Sequence, residues 1–388
     1  MMAALSPERQ EIRDAALRLA GRFDDDYWLE RDRNGGFPEE LYRAFADAGW
    51  LGIAMPEAQG GAGLGIAEAT LMMQAVAEAG GGASAASALH MNIFGLNPVV
   101  KYGTEAQKAR MLPPLIEGRE KACFAVTEPT TGLDTTKLKT RAVRQGDRYV
   151  VHGQKVWIST AQVADRILLL ARTTPLEDCA KPTEGLSLFY TALDRTFIDV
   201  REIEKMGRKA VDSNELFIDG LPIPADDLIG EEGQGFRQIL HGLNPERILI
   251  AGECVGIARN ALARAAAYAN ERVVFDRPIG KNQSIQHPLA HAWAKVEAAN
   301  LMTMHAADLY DSGADCGIEA NAAKLLAAEA AVEATQTAQM TFGGYGYAKE
   351  YHVERLVREA LLFHIVPVTP NMLLSFIAEK ALGLPKSY

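Results

Sequence analysis

A large flat indole, Trp157, stands just before the hydroxyl of Ser159, and an earlier loop carries Thr127, Thr130 and Thr131. Such a set can cradle an aromatic ring with polar edges. It fits equally a core tryptophan beside ordinary loop threonines, because aromatic side chains usually bury for packing. A second group is Asn244-Pro245-Glu246-Arg247. Asparagine and proline read as a helix cap and first-turn proline, which puts Glu246 in a first turn. The helix dipole there favours the carboxylate, whereas burial would push its pKa up toward a working value. Glu246 can be a base, or simply one half of an ion pair with Arg247. Other patterns carry less. His287 and His291 share a helix face, but no glutamate of an HExxH motif lies between them, and no metal is expected. The glycines of 60–65 follow no hydrophobic strand, which a dinucleotide-binding turn requires. Those of 230–235 lack the Lys-Ser/Thr of a phosphate loop and flank Glu231 and Glu232, so they read as a linker. No Gly-x-Ser-x-Gly elbow is present.

These groups need a scaffold, and 388 residues, 48% hydrophobic and 23% charged, are enough for two or three cores. Residues 1–121 read as helical. Ser6 caps a first helix with Pro7 in its first turn, 37–48 and 66–79 follow, 84–100 gives one helix or two, and Thr104 caps another. Residues 122–229 hold short β runs at 123–126, 149–151, 155–159, 166–171, 186–193 and 215–218. Turn residues separate them, with a hairpin turn expected at Gly153, at the spacing of a small barrel or sandwich. Residues 230–388 are helical again, in long pieces at 251–271, 286–310, 319–342, 350–363 and 372–381. Alanine-rich faces there allow close helix packing. The expected fold class is α+β: a helical domain, a β-barrel or sandwich domain, and a four-helix bundle.

Composition excludes some functions. A net charge of −10 argues against a nucleic-acid partner. No apolar run approaches the roughly 18–20 residues of a membrane span. The first residues show no signal peptide. Cys123, Cys179, Cys254 and Cys316 form no CxxC pair and read as reduced, buried thiols, so a cytoplasmic location is expected.

Thr127-Glu128-Pro129, then Gly132 and Asp134, then Gly153-x-Lys155-x-Trp157-Ile158-Ser159, resemble the flavin-binding signature of the acyl-CoA dehydrogenases. The likeness extends over nearly the whole chain. It includes the Pro-Glu-x-x-Gly-Gly-x-Gly-Leu run at 56–64, Tyr102-Gly103-Thr104-Glu105, and Met206-Gly207 with Asp212-Ser213. The resemblance implies an FAD-dependent oxidoreductase of fatty or branched acyl-CoA catabolism. A glutamate takes the α proton of the thioester, the β hydrogen leaves as hydride to flavin N5, and a trans-2-enoyl-CoA results. Electrons then pass to electron-transferring flavoprotein. The site must stabilise enolate charge on the thioester oxygen. In the family a ribityl hydroxyl and the backbone N–H of the base, or of its positional counterpart, donate to it. Members are usually homotetramers, dimers of dimers, with FAD at a subunit interface.

Many members carry the base near the C-terminus, where this chain has Pro367, which cannot take a proton. In isovaleryl-CoA and long-chain members it is a glutamate before an arginine on the first bundle helix. Glu246 matches that placement, with Asn244 and Arg247 beside the substrate. The resemblance gives Phe124, Val126, Thr127, Gly132, Trp157 and Ser159 to the flavin ring and pyrophosphate. It gives Arg272, Phe275 and Gln283 to the cofactor of a neighbouring subunit. Gly343 and Gly344 allow close backbone approach, and Gln339, Thr369 and Asn371 add polar contacts. Leu89, Met91, Phe94 and Leu96 of the 84–100 helix would line the acyl-tail pocket. Leu133 in place of the usual serine, Met340 in place of glutamine and Asp276 in place of glycine depart from the pattern. Two other readings stay open: an acyl-CoA oxidase or flavin-dependent monooxygenase on the same fold, and a non-catalytic acyl-CoA-binding paralogue, which Pro367 motivates.

Overall fold

Ser6 accepts a hydrogen bond from the Arg9 amide and opens α1 (Pro7–Ala20) in the computed structural model, which describes residues 5–387. Next comes α2 (Asp25–Asn34), which the sequence reading lacks. Its aspartates look like the end of α1, yet Asp24 caps a new helix by accepting from the Tyr27 amide at 3.0 Å. Acidic residues belong at a helix start, where the dipole is positive. Then follow α3 (Glu39–Asp47), α4 (Ile66–Val76), a wide π-type turn to Gly81, α5 (Gly82–Phe94), α6 (Asn97–Tyr102) and α7 (Glu105–Ile116). Asp311, far along the chain, caps α4 by accepting from the amides of Ile66 and Ala67, both at 2.8 Å.

Eight strands form one mixed sheet. They are β1 (Ala122–Ala125), β2 (Arg141–Gln145), β3 (Arg148–Ser159), β4 (Arg166–Arg172), β5 (Leu186–Ala192), β6 (Ile198–Glu202), β7 (Ser213–Pro224) and β8 (Leu228–Ile229). The order is β6-β7-β3-β2-β4-β5-β8, with β1 parallel to β4. One edge of β4 is shared. β1 pairs with Arg166 to Leu169, and β2 touches only Arg172. The loop 126–140 leaves the sheet between them. β4 is apolar on both faces, as a strand covered on both sides must be. Ile167 and Leu169 fill the inner sheet core, and Leu168 and Leu170 pack with Leu112 and Leu115 of α7.

Gly153 is not a turn. β3 runs through it unbroken, and the turn before β3 holds Gly146 at φ +65° instead. Gly153 is small because Thr140 crosses it: a Cβ would sit 2.3 Å from Thr140 Oγ1 and 2.7 Å from its Cα. Gly153→Ala must therefore push the loop off the strand. We expect a loss of about 1–3 kcal/mol, as for overpacked cores. A urea-unfolding midpoint unchanged from wild type would contradict this.

A glycine linker ties the sheet to the second helical part, with Gly233 N–H donating to Ser187 Oγ at 2.8 Å. Beyond it lie α8 (Gly235–Leu240), α9 (Leu243–Glu271), a β9–β10 hairpin (Val273–Val274, Arg277–Pro278), α10 (Gln283–Asp311), α11 (Gly317–Phe342), α12 (Val353–Ile365) and α13 (Pro370–Leu382). α9, α10, α11 and α12 bundle around alanines, and one continuous core joins them to α1, α4 and α5. No single helix among the described residues is long and apolar enough to cross a membrane. All four cysteines are free. Cys179, expected buried, is partly exposed at the end of a short turn.

Candidate active site

The loop 126–140 is held by a buried ion pair. Lys155, fully buried in β3, donates to the Glu128 carboxylate at 3.0 Å and to Val126 O at 2.9 Å. Glu128 also accepts from the amides of Lys139 at 2.7 Å and Thr140 at 2.9 Å. Burial alone would raise the Glu128 pKa, but the Lys155 charge and these donors hold it below the usual carboxylate range. Burial pushes Lys155 down to about 8, against the attraction of Glu128. Arg172 adds a second clasp, donating to Thr136 O at 2.6 Å. β3 then bulges between Lys155 and Ile158, where Trp157 takes φ +63° and turns its indole outward, 60% exposed. Bulges re-aim side chains in this way.

That indole faces a cavity of roughly 480 Å³ between sheet and helices. Phe124, Val126, Thr127, Gly132, Trp157 and Ser159 all line it, as do Glu246, Arg247 and Pro367. α8, α9 and the α12–α13 turn complete the wall with Phe236, Ile239, Leu243, Ile250, Phe363 and Val366. Glu246 lies in the first turn of α9, its amide bonded to Gly242 O at 3.1 Å. The helix starts at Leu243, so Asn244 is not its cap. The Asn244 side chain points to Cys316 Sγ at 3.7 Å and is absent from the cavity lining. Burial raises the Glu246 carboxyl, and the charges of His90 and Arg247 only partly oppose this.

α5 supplies the remaining wall, and a buried network fixes it. Glu359 accepts from Ala83 N and Ser84 Oγ, both at 2.7 Å, while Arg355 donates to Gly80 O at 2.6 Å across the π-type turn. The face shown to the cavity is Ser87, His90 and Met91, spaced i, i+3, i+4. Of the residues expected in the acyl pocket, Met91 lines this cavity, whereas Leu89 and Leu96 are fully buried in hydrophobic cores instead. The Phe94 side chain lies outside the described residues. His90 Nδ1 lies 2.5 Å from Glu253 Oε1, and Glu253 is fully buried two turns beyond Glu246 on α9. Burial lowers the imidazole pKa, but the Glu253 charge and hydrogen bond outweigh it and raise it. Arg208 enters from the loop before β7 and donates to Ser159 Oγ and Ser213 Oγ, both at 3.0 Å. Sequence reasoning missed His90 and Arg208. Ser87 and His90 at helical spacing were the available signal for α5; Arg208 had none.

Other expected cofactor residues gather elsewhere. Arg272, Gly343 and Gly344 line a second cavity of about 450 Å³ at the far end of the bundle, which shares no lining residue with the first. Phe275 tips the adjoining hairpin, 93% exposed at φ +52°. Gln283 begins α10, exposed to solvent, and Gln339 donates to Gly346 O at 3.4 Å. Thr369 and Asn371 start α13 beside Val368 and Met372, which line the first cavity where they do not. Among the described residues no cluster of three His, Cys, Asp or Glu side chains could hold a metal, and His291 bonds Glu333.

Helices, sheet and helices meeting at one such cavity make the arrangement of a class of flavoprotein oxidoreductases. Three family models match in order: acyl-CoA dehydrogenase N-terminal domain at 6–119, middle domain at 123–221 and C-terminal domain at 233–382. The acyl-CoA dehydrogenase FadE12 of Mycobacterium tuberculosis is 37% identical over 99% of this chain and 98% of its own. The structure of butyryl-CoA dehydrogenase from Megasphaera elsdenii superposes with a TM-score of 0.92 at 31% identity, covering 99% of this chain and 100% of its own. The FAD complex of PigA gives 0.92 at 26% identity, over 99% and 100%. This chain belongs to the acyl-CoA dehydrogenase family.

Proposed function

We propose that this protein is an FAD-dependent acyl-CoA dehydrogenase that converts a saturated acyl-CoA to its trans-2-enoyl thioester, with Glu246 as base. One observation carries the reading: Glu246 shares a cavity with the exposed Trp157 face and the hydroxyls of Thr127 and Ser159, while Pro367 occupies the opposite candidate position. The lining suits a flat heterocycle. Gly132 leaves open space, with no atom within 4 Å of where a Cβ would stand. When bound there, FAD supplies the hydride acceptor. Glu246, raised by burial, is a stronger base than an exposed glutamate and lines the cavity beside Leu243, Ile250 and Phe363. The family's backbone donor to the thioester oxygen is missing here. Pro367 has no N–H, and the Glu246 amide is bonded to Gly242. Arg247, in the cavity with a buried Nε that makes no hydrogen bond, is the chain's own candidate to hold that oxygen.

The second cavity and the contiguous exposed Val273, Val274 and Phe275 beside it support a contact with a neighbouring subunit, and a homotetramer with FAD shared between subunits is the proposed assembly. Electron-transferring flavoprotein is the proposed acceptor and the cytoplasm the proposed location. Anaerobic mixing with a panel of acyl-CoAs, followed by flavin absorbance, tests the reading. Bleaching that an added electron acceptor reverses is expected. A flavin perturbed but never bleached would mean a binding paralogue, and peroxide formed at the turnover rate in air would mean an oxidase.

A further inference from the structure

The inner end of the cavity is charged, which a plain alkyl tail does not need. A CoA nucleotide cannot fit in roughly 480 Å³, so it must lie toward solvent and the acyl end must point inward. Inward is the direction of Glu253, two turns or about 10 Å along α9 from Glu246 and fully buried. There α5 presents Ser87 and His90, and the loop before β7 presents Arg208. His90 is balanced by Glu253. Arg208 makes no such close pair. Its hydrogen bonds go to two serine hydroxyls rather than a carboxylate, and its buried Nε has no partner. The charges of Glu253, Asp212 and Glu359 favour the Arg208 cation, but burial outweighs them. A cation in a cavity whose hydrogen-bond partners include no carboxylate is incompletely compensated, and a ligand anion relieves that cost.

We infer that the inner end binds a carboxylate at the far end of the acyl group, held by Arg208 and His90, so that the substrate is an ω-carboxyacyl thioester. This rests on the proposed dehydrogenase reading, and Ser87 adds a hydroxyl donor. A guanidinium suits this role because its fork matches a carboxylate in a bidentate pair. A tail ending in methyl would leave the cation without a carboxylate partner. A tail ending in hydroxyl could accept a hydrogen bond but could not neutralise the charge.

The test uses the FAD-loaded Glu246→Gln protein, which holds thioesters unreacted, and titration calorimetry with acyl-CoAs of equal length ending in carboxylate, hydroxyl or methyl. The carboxylate ester is expected to bind at least tenfold tighter than the methyl ester. Arg208→Gln should collapse that ratio toward one, Arg208→Lys should keep part of it, and His90→Leu should lower it. A methyl or hydroxyl ester binding as tightly as the carboxylate ester overturns the inference. So does an Arg208→Gln protein that weakens all three esters equally. If wild type prefers the carboxylate ester yet oxidises none of them, the Glu246 assignment fails and the carboxylate site stands.

Discussion

Glu246→Gln is expected to keep its fold, its flavin and its affinity for thioesters while losing about 10²–10⁴-fold in turnover, the usual worth of a positioned general base. Glutamine has the shape of the carboxylate and cannot accept the proton. The local structure should survive, because the Glu246 amide, not its side chain, bonds Gly242 O. No other carboxylate can readily substitute. Glu253 is fully buried and committed to His90, and Pro367 has no ionisable group. The pH dependence carries a sign. The base must be ionised, and burial raises its pKa, so kcat/KM of wild type rises with pH through a value above that of an ordinary glutamate. The variant should lose that limb. Turnover within tenfold of wild type would remove Glu246 from the role.

The parts of the site visible in the sequence are those that lie close along the chain. The residues from Thr127 to Gly132 and from Lys155 to Ser159 form a local loop and strand, and the six expected ring contacts do line one cavity. The missed parts depend on partners far away. Asp311 caps α4, Glu359 caps α5 and Arg208 reaches Ser159 from another strand connection. No local pattern marks such pairs. Leu89 shows a different failure. Apolarity and position in the right helix were legible, but the face was not, and the core claimed the leucine while Ser87 and His90 took the cavity. Gly153 failed because a glycine in a strand can mark a turn or a close crossing, and only the packing of Thr140 decides between them. The start of α2 is hidden because Asp24, Asp25 and Asp26 directly follow the apolar face of α1, where acidic residues before Tyr27 and Trp28 announce a new helix.

Lys155→Met is expected to be the most damaging change outside the base. It keeps the length and apolar body of the side chain but leaves Glu128 as a buried carboxylate without its cation. Breaking a buried pair from one side costs about 3–5 kcal/mol. The loss falls on the loop that carries Thr127 and Gly132, because Lys155 also donates to Val126 O, so bound flavin per subunit should fall together with the urea-unfolding midpoint. Removing both charges, as Glu128→Gln with Lys155→Met, should recover part of the stability, since an unpaired charge is what the single change leaves behind. The Lys139 and Thr140 amides donate to different oxygens of Glu128, and the single glutamine oxygen can keep only one of these bonds to the loop. If the single variant unfolds at the wild-type midpoint, the pair is not the clasp of the loop. If the double variant is no better than the single, the damage comes from the lost bond to Val126 O rather than from a stranded carboxylate.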